Sequence, residues 1–590
     1  MTDIEKLKKL HSEGKIEKAL KLSSKLLKKH PNTYSYLHAH ASLHNNAGHI
    51  NVALRSYLKL YTLNPSDISI VLAISTCFSK INEYESSLKY FQIANKLRPN
   101  DHEIIMNIGV LYRLNGQVAE SKTYLEMGVK LAPKKAEAYH NLAITNELEE
   151  DFDTALSNYK KAFELDNRHY RALGNMGVVY SKLKNLKLAE EAFLSSLAIN
   201  PKYDLALKNL GINYVFQKRL NEAKALLFKA IEYHPKHAMF YNNISQLTNM
   251  TKEELSHIKF AIENALASKT NLLATDEMYF ALGKICHSLK EYKTAEASYL
   301  KANTLVSKKK PYDRSFVSNY FDYSKFLASH LDTSFESHVS GESFVFIIGM
   351  PRSGTTLLES LLSTHTKLIP GDELPYLNHI CFTELFKNKR YTGLPTTKNL
   401  EVISDYYHTK TASLFSKPNI LIDKLPHNFR WIPIINTVFP RAKIVHISRD
   451  PIDNCWSLFR ENFNNNSHEY SYQLKTLGEY YARYQELMLF FNNRGNYNII
   501  NVTYEALVDQ PINTIQNIFN KMSINPEDYV EQSRGNSYYS KTASSVQVQQ
   551  PISKASIQGW KKHSDFLQPL VLNLQKNQES LGLPIYDNAS

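Results

Sequence analysis

The residues whose types and spacing are best suited to chemistry form one short string, Pro351-Arg352-Ser353-Gly354-Thr355-Thr356. Five apolar residues, 344–348, precede this string, and apolar residues recur at helical spacing over 357–362. This order predicts a buried strand, a tight loop and a helix N-terminus, whose backbone N–H groups and dipole bind anions. The Arg352 side chain adds a forked donor with a permanent charge. We therefore expect a cradle for one or two acidic groups.

The spacing from Gly349 to Gly354 imitates the phosphate loop of nucleotide triphosphatases, but Thr355 stands where that loop requires lysine. That lysine reaches the β- and γ-phosphates, and the Ser or Thr after it holds magnesium. Its absence argues against ATP hydrolysis. An ordinary tight turn is the alternative interpretation, and the whole string, rather than the two glycines, favours an anion site.

Three further apolar runs, 419–423, 442–448 and 497–503, read as strands, and helical segments such as 474–491 separate them. This alternation predicts a doubly wound α/β domain with a parallel sheet. Ligands of such sheets bind beyond the carboxyl ends of the strands. We therefore expect the polar residues that follow each strand to converge there.

The polar residues at these strand ends are Arg449, which is followed by Ser457 eight residues later, and Lys424. The turn after the loop helix adds two carboxylates, Asp372 and Glu373. Each residue taken alone also has a structural interpretation: an ion pair of Arg449 with Asp453 or of Lys424 with Asp423, a solvated Ser457 hydroxyl, and a solvated acidic turn.

Taken together, these motifs resemble the sulfotransferases that use 3′-phosphoadenosine 5′-phosphosulfate (PAPS). The form with Arg before Ser-Gly-Thr-Thr is most similar to tyrosylprotein sulfotransferases and to bacterial sulfotransferases that carry tetratricopeptide repeats. The resemblance implies that the loop 351–356 binds the 5′-phosphosulfate and that Arg449 and Ser457 bind the 3′-phosphate. It aligns Glu373 with the catalytic base and Lys424 with a lysine that contacts the sulfuryl group, and it implies no metal.

The resemblance extends to the C-terminal segment 542–560, which is similar to a family segment that closes over the cofactor. It places Ser544 on the serine of that segment, which would orient the donor. The match weakens at Gly559, where the tyrosylprotein enzymes have a basic residue. Lys561 or Lys562 is expected to supply that charge.

More than one role can be assigned to each of three further residues, Tyr504, His446 and Asp372. Tyr504 occupies the position of a family aromatic near the adenine, although a Tyr at a strand end also packs in a core. His446 lies inside a strand, and we expect it in the core rather than in catalysis. Asp372 is the nearest competitor of Glu373 for the role of base, because a carboxylate near the donor can take a proton from an acceptor hydroxyl.

The first half of the chain repeats with a period of 34 residues. Prolines recur in phase at positions 31, 65, 99, 133, 201 and 235. Two columns of small residues keep the same period, one from Ala41 to Gly211 and one from Ala19 to Ala223. This pattern is typical of tetratricopeptide repeats, in which small residues let paired helices cross closely and proline follows the second helix.

We predict an all-α tetratricopeptide superhelix over 1–308, with about eight repeats and an irregular insertion at 236–275. A linker over 309–340 and a P-loop-like α/β sulfotransferase domain over 341–590 follow. An in-phase aromatic column is expected to pack between helices: Tyr57, Phe91, Tyr159 and Phe193. The concave face of such arrays usually holds a peptide or protein, and bracing or dimerising the second domain is the alternative.

Composition restricts the function classes. The chain has 590 residues, a net charge of +13 and 43% hydrophobic residues. The charge suits an anionic ligand, but the absence of a dense basic run argues against nucleic acid. The four cysteines lie far apart, form no metal-ligand pair and read as reduced thiols. With no signal core and no membrane span, the sequence predicts a cytoplasmic protein.

The sequence thus predicts transfer of a sulfuryl group from PAPS to a hydroxyl without a metal, most plausibly to tyrosine of a peptide or protein recruited by the repeats. A carbohydrate or small-metabolite acceptor stays open, because a donor site does not define the acceptor. Two other classes stay open as well: a repeat scaffold with an inactive second domain, and a nucleotide or small-molecule kinase.

Overall fold

The computed structural model describes residues 2–268, 274–331, 335, 344–414, 419–463, 467–526 and 552–587. The chain divides into two compact units, Met1–Asn213 and Tyr214–Ser590. The division falls within one helix, so the last helical repeats belong to the same unit as the sheet.

The repeat region consists of consecutive helices that pack in pairs. Their bounds are α1 Asp3–Ser12, α2 Ile16–Lys29, α3 Tyr34–Asn46, α4 Ile50–Leu63, α5 Ile68–Lys80, α6 Tyr84–Leu97, α7 His102–Leu114, α8 Val118–Leu131, α9 Ala136–Leu148, α10 Phe152–Leu165, α11 Tyr170–Lys182, α12 Leu186–Ile199 and α13 Asp204–Phe216. Close crossing explains the small residues: a Cβ on Gly177 would lie 2.5 Å from the Phe193 ring. Phe193 and Tyr159 are fully buried, which confirms the packing role of the aromatic column.

The helical pattern continues in the second unit. Its first helices are α14 Leu220–Tyr233, α15 Ala238–Ile244, α16 Lys252–Ala267, α17 Thr275–Ser288, α18 Tyr292–Lys309 and α19 Arg314–His330. The predicted irregular insertion contains the short helix α15 and the longer helix α16. The repeat pattern returns in the helix pair α17 and α18. There a Cβ on Gly283 would lie 2.6 Å from the Tyr299 ring, the same crossing as in the first unit.

A five-stranded parallel sheet forms the core of the rest of the second unit. The strands in this part of the chain, inside and outside that sheet, are β1 Phe344–Gly349, β2 Leu368–Pro370, β3 Phe386–Lys387, β4 Arg390–Tyr391, β5 Ile420–Asp423, β6 Lys443–Ser448 and β7 Ile499–Thr503. The sheet order is β2-β5-β1-β6-β7, and β3 and β4 form a separate antiparallel pair. All six residues of the central strand β1 are buried, as expected for a strand covered on both faces.

Helices connect and cover these strands. They are α20 Thr355–Leu362, α21 Tyr376–Leu385, α22 Thr397–Thr411, α23 Ile432–Val438, α24 Pro451–Phe459, α25 Leu474–Arg494, α26 Tyr504–Asp509, α27 Pro511–Met522 and α28 Ser564–Ser580. Short 3₁₀ turns add to these at Pro426–Trp431, Glu469–Tyr472, Lys554–Ser556 and Gly559–His563. The predicted fold class, helical repeats followed by an α/β domain with a parallel sheet, is confirmed.

Among the described ranges, no helix combines the length and the apolar character needed to cross a bilayer.

Candidate active site

The loop between β1 and α20 is built around two glycines that leave no room for a side chain. A Cβ on Gly349 would overlap the Ile447 carbonyl oxygen, and a Cβ on Gly354 would lie 2.5 Å from Tyr504 Cδ2. Both glycines have positive φ, 155° and 106°. Arg352 also has φ of 67°, a conformation that costs free energy for a residue with a side chain. Such strain is typical of ligand-binding loops.

Arg352 and Ser457 meet in the structure, although 105 positions separate them. The Arg352 Nε donates a hydrogen bond to the Ser457 Oγ at 3.2 Å. The Arg449 Nη1 donates to the Arg352 carbonyl oxygen at 3.2 Å. The three polar groups that the sequence assigned to two ends of one ligand therefore lie side by side at the carboxyl ends of β1 and β6.

Arg449 is also held from the other side. Its guanidinium lies over the Tyr504 ring, 4.7 Å from the ring centre, and its Nη2 donates to the Ser556 carbonyl oxygen at 2.6 Å. The hydroxyls of Tyr504 and Ser556 are 2.8 Å apart. Tyr504 therefore contacts both the glycine loop and Arg449, and a segment near the C-terminus completes this wall.

Several buried polar atoms around the loop have no hydrogen-bond partner within the described part of the chain: Ser353 Oγ, Arg449 Nε and Asn454 Oδ1. Buried polar atoms are nearly always paired in native proteins. Asn454 is fixed by its own amide, which donates to the Pro351 carbonyl oxygen at 3.1 Å. Thr355 and Thr356 are buried at the N-terminus of α20. Donors, a helix N-terminus and two guanidinium groups thus fit an anionic ligand with more than one acidic group.

The second half of the site is a lysine surrounded by three carboxylates. The Lys424 Nζ lies 2.8 Å from Asp372 Oδ1, 3.4 Å from Glu373 Oε1 and 3.8 Å from Glu359 Oε2. The side chains of Lys424 and Glu359 are fully buried. Burial opposes the charge on Lys424, but the three carboxylates outweigh it and raise the lysine pKa. Lys424 is therefore a fixed positive charge.

Glu373 differs from the other two carboxylates. Its side chain is 43% exposed, yet the surrounding protein raises its pKa through desolvation, against the opposing effect of Lys424. Solvent therefore reaches this carboxylate, although neighbouring protein atoms partly desolvate it. A raised pKa is the usual property of a general base that works near neutral pH.

Asp372 is tied into the backbone of its turn. Its N–H donates to Glu359 Oε1 at 2.9 Å, and its carbonyl oxygen accepts from the Lys424 N–H at 3.0 Å. Its φ is 63°, and a Cβ on the neighbouring Gly371 would lie 2.6 Å from the Ile422 carbonyl oxygen. The shorter contact to Lys424 and these restraints favour Glu373 over Asp372 as the carboxylate available to an acceptor.

Asp423 is not the hydrogen-bonded partner of Lys424. Its carboxylate accepts hydrogen bonds from the Tyr407 hydroxyl at 2.9 Å and from the Leu425 N–H at 3.1 Å. Burial raises the pKa of Asp423 to about 7. No sequence pattern singled out Glu359 or Tyr407, because Glu359 lies within an apolar helix and Tyr407 lies in a distant helix.

The C-terminal segment joins the site through Asp453. The N–H groups of Gln558 and Trp560 donate to the Asp453 carboxylate at 2.6 and 3.0 Å. Asp453 thus holds this segment, a role the sequence did not suggest. Lys561 and Lys562 are exposed, and their predicted role stays a prediction. Ser544 lies outside the described residues.

His446 lies in the core, as the sequence indicated. Its Nδ1 is 2.8 Å from Asn501 Oδ1, and its Nε2 is 2.5 Å from the Tyr484 hydroxyl. Burial lowers its pKa to about 4, so it is a neutral packing residue.

The repeat unit contains a different cluster of titratable groups, formed by Glu137, His140 and His169. Their ligand-type atoms all lie within 4.8 Å of one another. The Ala172 N–H donates to His169 Nδ1 at 3.2 Å, so the His169 Nε2 carries the proton and donates to Glu137 at 3.2 Å. The His169 Nε2, which a metal would use, therefore carries a proton. We interpret the cluster as a Glu137 carboxylate held by imidazoles and not as a metal site.

Two kinds of family model match parts of the chain. Residues 344–528 match the family model described as Sulfotransferase family. Tetratricopeptide repeat models match residues 102–135, 136–169, 170–203 and 276–305. The chain therefore combines tetratricopeptide repeats with a sulfotransferase-family domain, and the fourth match coincides with the returning repeat α17–α18.

Two curated relatives are similar over part of the chain. An uncharacterized protein of Aquifex aeolicus (strain VF5) is 28% identical over 323 residues, which are 52% of this chain and 42% of that protein. A protein of Caenorhabditis briggsae described as "Putative protein-tyrosine sulfotransferase" is 27% identical over 192 residues, 31% of this chain and 66% of that protein. The similarity thus spans less than half of the first relative.

Solved structures resemble the repeats. The MamA protein is 23% identical with a TM-score of 0.25, over 29% of this chain and 92% of that one. The Cut9–Hcn1 hetero-tetramer has 19% identity and a TM-score of 0.33, over 41% and 48%. A tetratricopeptide repeat protein from Parabacteroides merdae has 20% identity and a TM-score of 0.31, over 42% and 94%. Similarity at these scores carries no information on function.

Proposed function

We propose that the protein is a PAPS-dependent sulfotransferase whose acceptor is the hydroxyl of tyrosine in a peptide or protein. The observation that carries the proposal is the meeting of the 351–356 loop with Arg449 and Ser457 beside unpartnered buried polar atoms. These groups suit a nucleotide that carries acidic groups at two positions. The family match of residues 344–528 supports the same chemistry.

In this proposal, the residues of the loop would hold the donor. The α20 N-terminus and Arg352 would bind the phosphosulfate end, and Arg449 and Ser457 would bind the 3′-phosphate. When bound, PAPS would supply the sulfuryl group that passes to the acceptor oxygen. Ser544, on the resemblance of its segment, would orient the donor.

Glu373 would take the proton of the acceptor hydroxyl, because its carboxylate is exposed and has a raised pKa. Lys424, held 3.4 Å from Glu373, would stabilise the negative charge on the leaving phosphate oxygen together with Arg352. Fixed positive charges of this kind do not need to reorganise during the reaction. The described residues thus provide a base and two electrostatic groups for a step that uses no metal.

The tyrosine acceptor rests on the resemblance of the loop and on the Caenorhabditis briggsae relative. The repeats would recruit the acceptor protein, as tetratricopeptide arrays bind peptides and proteins. This part of the proposal is separate from the donor site and needs its own test.

The donor site is tested by calorimetry of the full chain with adenosine 3′,5′-bisphosphate and, separately, with magnesium and ATP. We expect binding of the bisphosphate that Arg449→Ala weakens by at least tenfold. Absence of bisphosphate binding, or magnesium-dependent ATP turnover, would overturn the donor assignment.

Transfer of label from [³⁵S]PAPS to tyrosine peptides, compared with sugars and with a Phe-for-Tyr peptide, tests the acceptor. Label on sugars alone would overturn the tyrosine assignment.

A further inference from the structure

Glu461 lies between the sulfotransferase loop and the last repeat. Its Oε1 is 3.9 Å from the Arg352 Nη2, and its Oε2 is 3.2 Å from the Nζ of Lys284 on α17. The side chains of Lys284 and Glu461 are 17% and 15% exposed. Lys284, a residue of the last repeat, is therefore linked to Arg352 of the loop through Glu461.

This part of the last repeat is firmly joined to the sulfotransferase core. The Asn303 amide on α18 donates to the Phe459 carbonyl oxygen at the end of α24, at 2.8 Å. The Tyr299 ring packs edge-on against Trp456, with ring centres 5.6 Å apart. Because both contacts fix the chain just before Glu461, α17 and α18 are part of the site's framework.

The charge balance at this position is tight. Arg449 and Arg460 act on Arg352 as like charges, and Glu461 is a carboxylate that opposes the charges of Arg352 and Arg460. Burial alone would raise the pKa of Glu461, but Lys284 and Arg352 outweigh burial and lower it. Glu461 is therefore ionised, with Lys284 and Arg352 within 4 Å and Arg460 as a third cation that acts on it.

The carboxylate of Glu461 lies closer to Lys284 than to Arg352. Lys284 holds one carboxylate oxygen at 3.2 Å, while the other remains at 3.9 Å from Arg352. If Lys284 were neutral, Glu461 would be free to pair more closely with Arg352, because opposite charges attract more strongly in a buried site. A closer pair would compete with an anionic ligand for the same guanidinium.

We infer that Lys284, a residue of the last repeat, positions Arg352 for anion binding by restraining Glu461. The inference rests on the proposed function, since the anion is taken to be the nucleotide donor. Lys284 is a positioning residue, because it acts through Glu461. The last repeat would then be part of the nucleotide site, and not only a recruiting surface.

The test is a double-mutant cycle on the full chain, with the dissociation constant of adenosine 3′,5′-bisphosphate as the readout. We expect Lys284→Met to raise this constant about tenfold, which corresponds to about 1.4 kcal/mol. Lys284→Arg should restore it to within about twofold. In the Glu461→Gln background, Lys284→Met should have no further effect, because the group through which it acts is gone.

Lys224→Met is the matched control. Lys224 pairs with Glu254 at 2.8 Å with similar exposure, 18% and 28%, but within the helices α14 and α16. Its removal should leave bisphosphate binding unchanged. Lys284→Leu, which also removes the donor for Glu461, is the second variant if Lys284→Met does not fold.

The outcomes separate the two proposals. If the wild-type chain does not bind the bisphosphate, the proposed function fails. If it binds and Lys284→Met, or Lys284→Leu where Lys284→Met does not fold, binds the bisphosphate as tightly as wild type, the inference fails while the proposed function stands. The inference also fails if Lys284→Met weakens binding by the same factor in the Glu461→Gln background.

Discussion

Two carboxylates, Glu137 in the repeats and Glu373 beside the parallel sheet, both face buried titratable groups, and their pKa values move in opposite directions. The imidazoles of His140 and His169 lower the pKa of Glu137. Desolvation raises the pKa of Glu373 in spite of Lys424. Similar exposed fractions, 52% and 43%, therefore accompany opposite electrostatics.

The difference lies in how the neighbouring charge is shared. Lys424 divides its charge among Glu359, Asp372 and Glu373, so Glu373 receives only part of the compensation. Glu137 accepts a hydrogen bond from His169 Nε2 at 3.2 Å, and His140 Nδ1 lies 3.8 Å from its carboxylate. The lowered pKa suits Glu137 to hold a structure together, whereas the raised pKa of Glu373 suits it to take up a proton.

Glu373→Gln is the sharpest way to break this comparison. We expect turnover to fall by about 10²–10⁴, the usual contribution of a general base, with bisphosphate binding retained. Turnover of the wild-type enzyme should also fall as the pH drops through a pKa above 4.5, because the base works only when deprotonated. Steady-state kinetics against pH checks both, and Asp372→Asn is the control. Full activity of Glu373→Gln would remove Glu373 from the mechanism.

Arg352→Ala tests the positive side of the same site. One preorganised electrostatic contact contributes about 10²–10³ in rate, so the variant should lose nearly all turnover. Bisphosphate titration, followed in parallel, separates the loss of binding from the loss of rate. Wild-type kinetics in this variant would contradict the role of the loop.

Lys424→Met changes stability as well as rate. Removing one partner of a buried ion cluster costs about 3–5 kcal/mol in free energy of unfolding, because Glu359 stays buried without its cation. The three tryptophans, Trp431, Trp456 and Trp560, all lie in the second unit, so fluorescence during urea unfolding reports on that unit. An unchanged midpoint would show that Glu359 is compensated by other groups.

Glu137→Gln, the same substitution in the other carboxylate, should have the smallest effect. Because Glu137 is half exposed, we expect a loss of about 1 kcal/mol or less and unchanged turnover. A lowered carboxyl pKa stabilises the fold above the pKa of the unfolded chain, and this contribution is lost as the pH falls through the folded pKa. The difference between variant and wild type, followed by far-UV circular dichroism, should therefore shrink in acid. A large loss of turnover would break the comparison.

The sequence predicted the fold through periodicity and strand-end residues. The 34-residue period indicated the repeats. The apolar runs predicted β1, β5, β6 and β7, with both ends of each strand within two residues of the observed bounds. The three-residue β2 and the pair β3–β4 were missed, because runs of two or three residues carry no periodic signal. Their existence depends on pairing with distant segments.

The family resemblance singled out Arg352, Arg449, Ser457 and Lys424, and the structure brings the first three together. Their partners could not be singled out in this way, because Glu359 and Glu461 are defined by tertiary contacts rather than by a local pattern. Single charged residues within helices or after them usually read as solvated surface. The geometry shows instead that both are buried or nearly so.

The glycine at 349 has one further consequence, for protein engineering. Because any side chain there would meet the Ile447 carbonyl of the adjacent strand, a mutant library that diversifies this loop would waste most of its members at that position. The Glu373 turn is restrained in the same way, because a Cβ on Gly371 would lie 2.6 Å from the Ile422 carbonyl oxygen. Selection for new acceptors should therefore vary exposed positions elsewhere while these two glycine corners stay fixed.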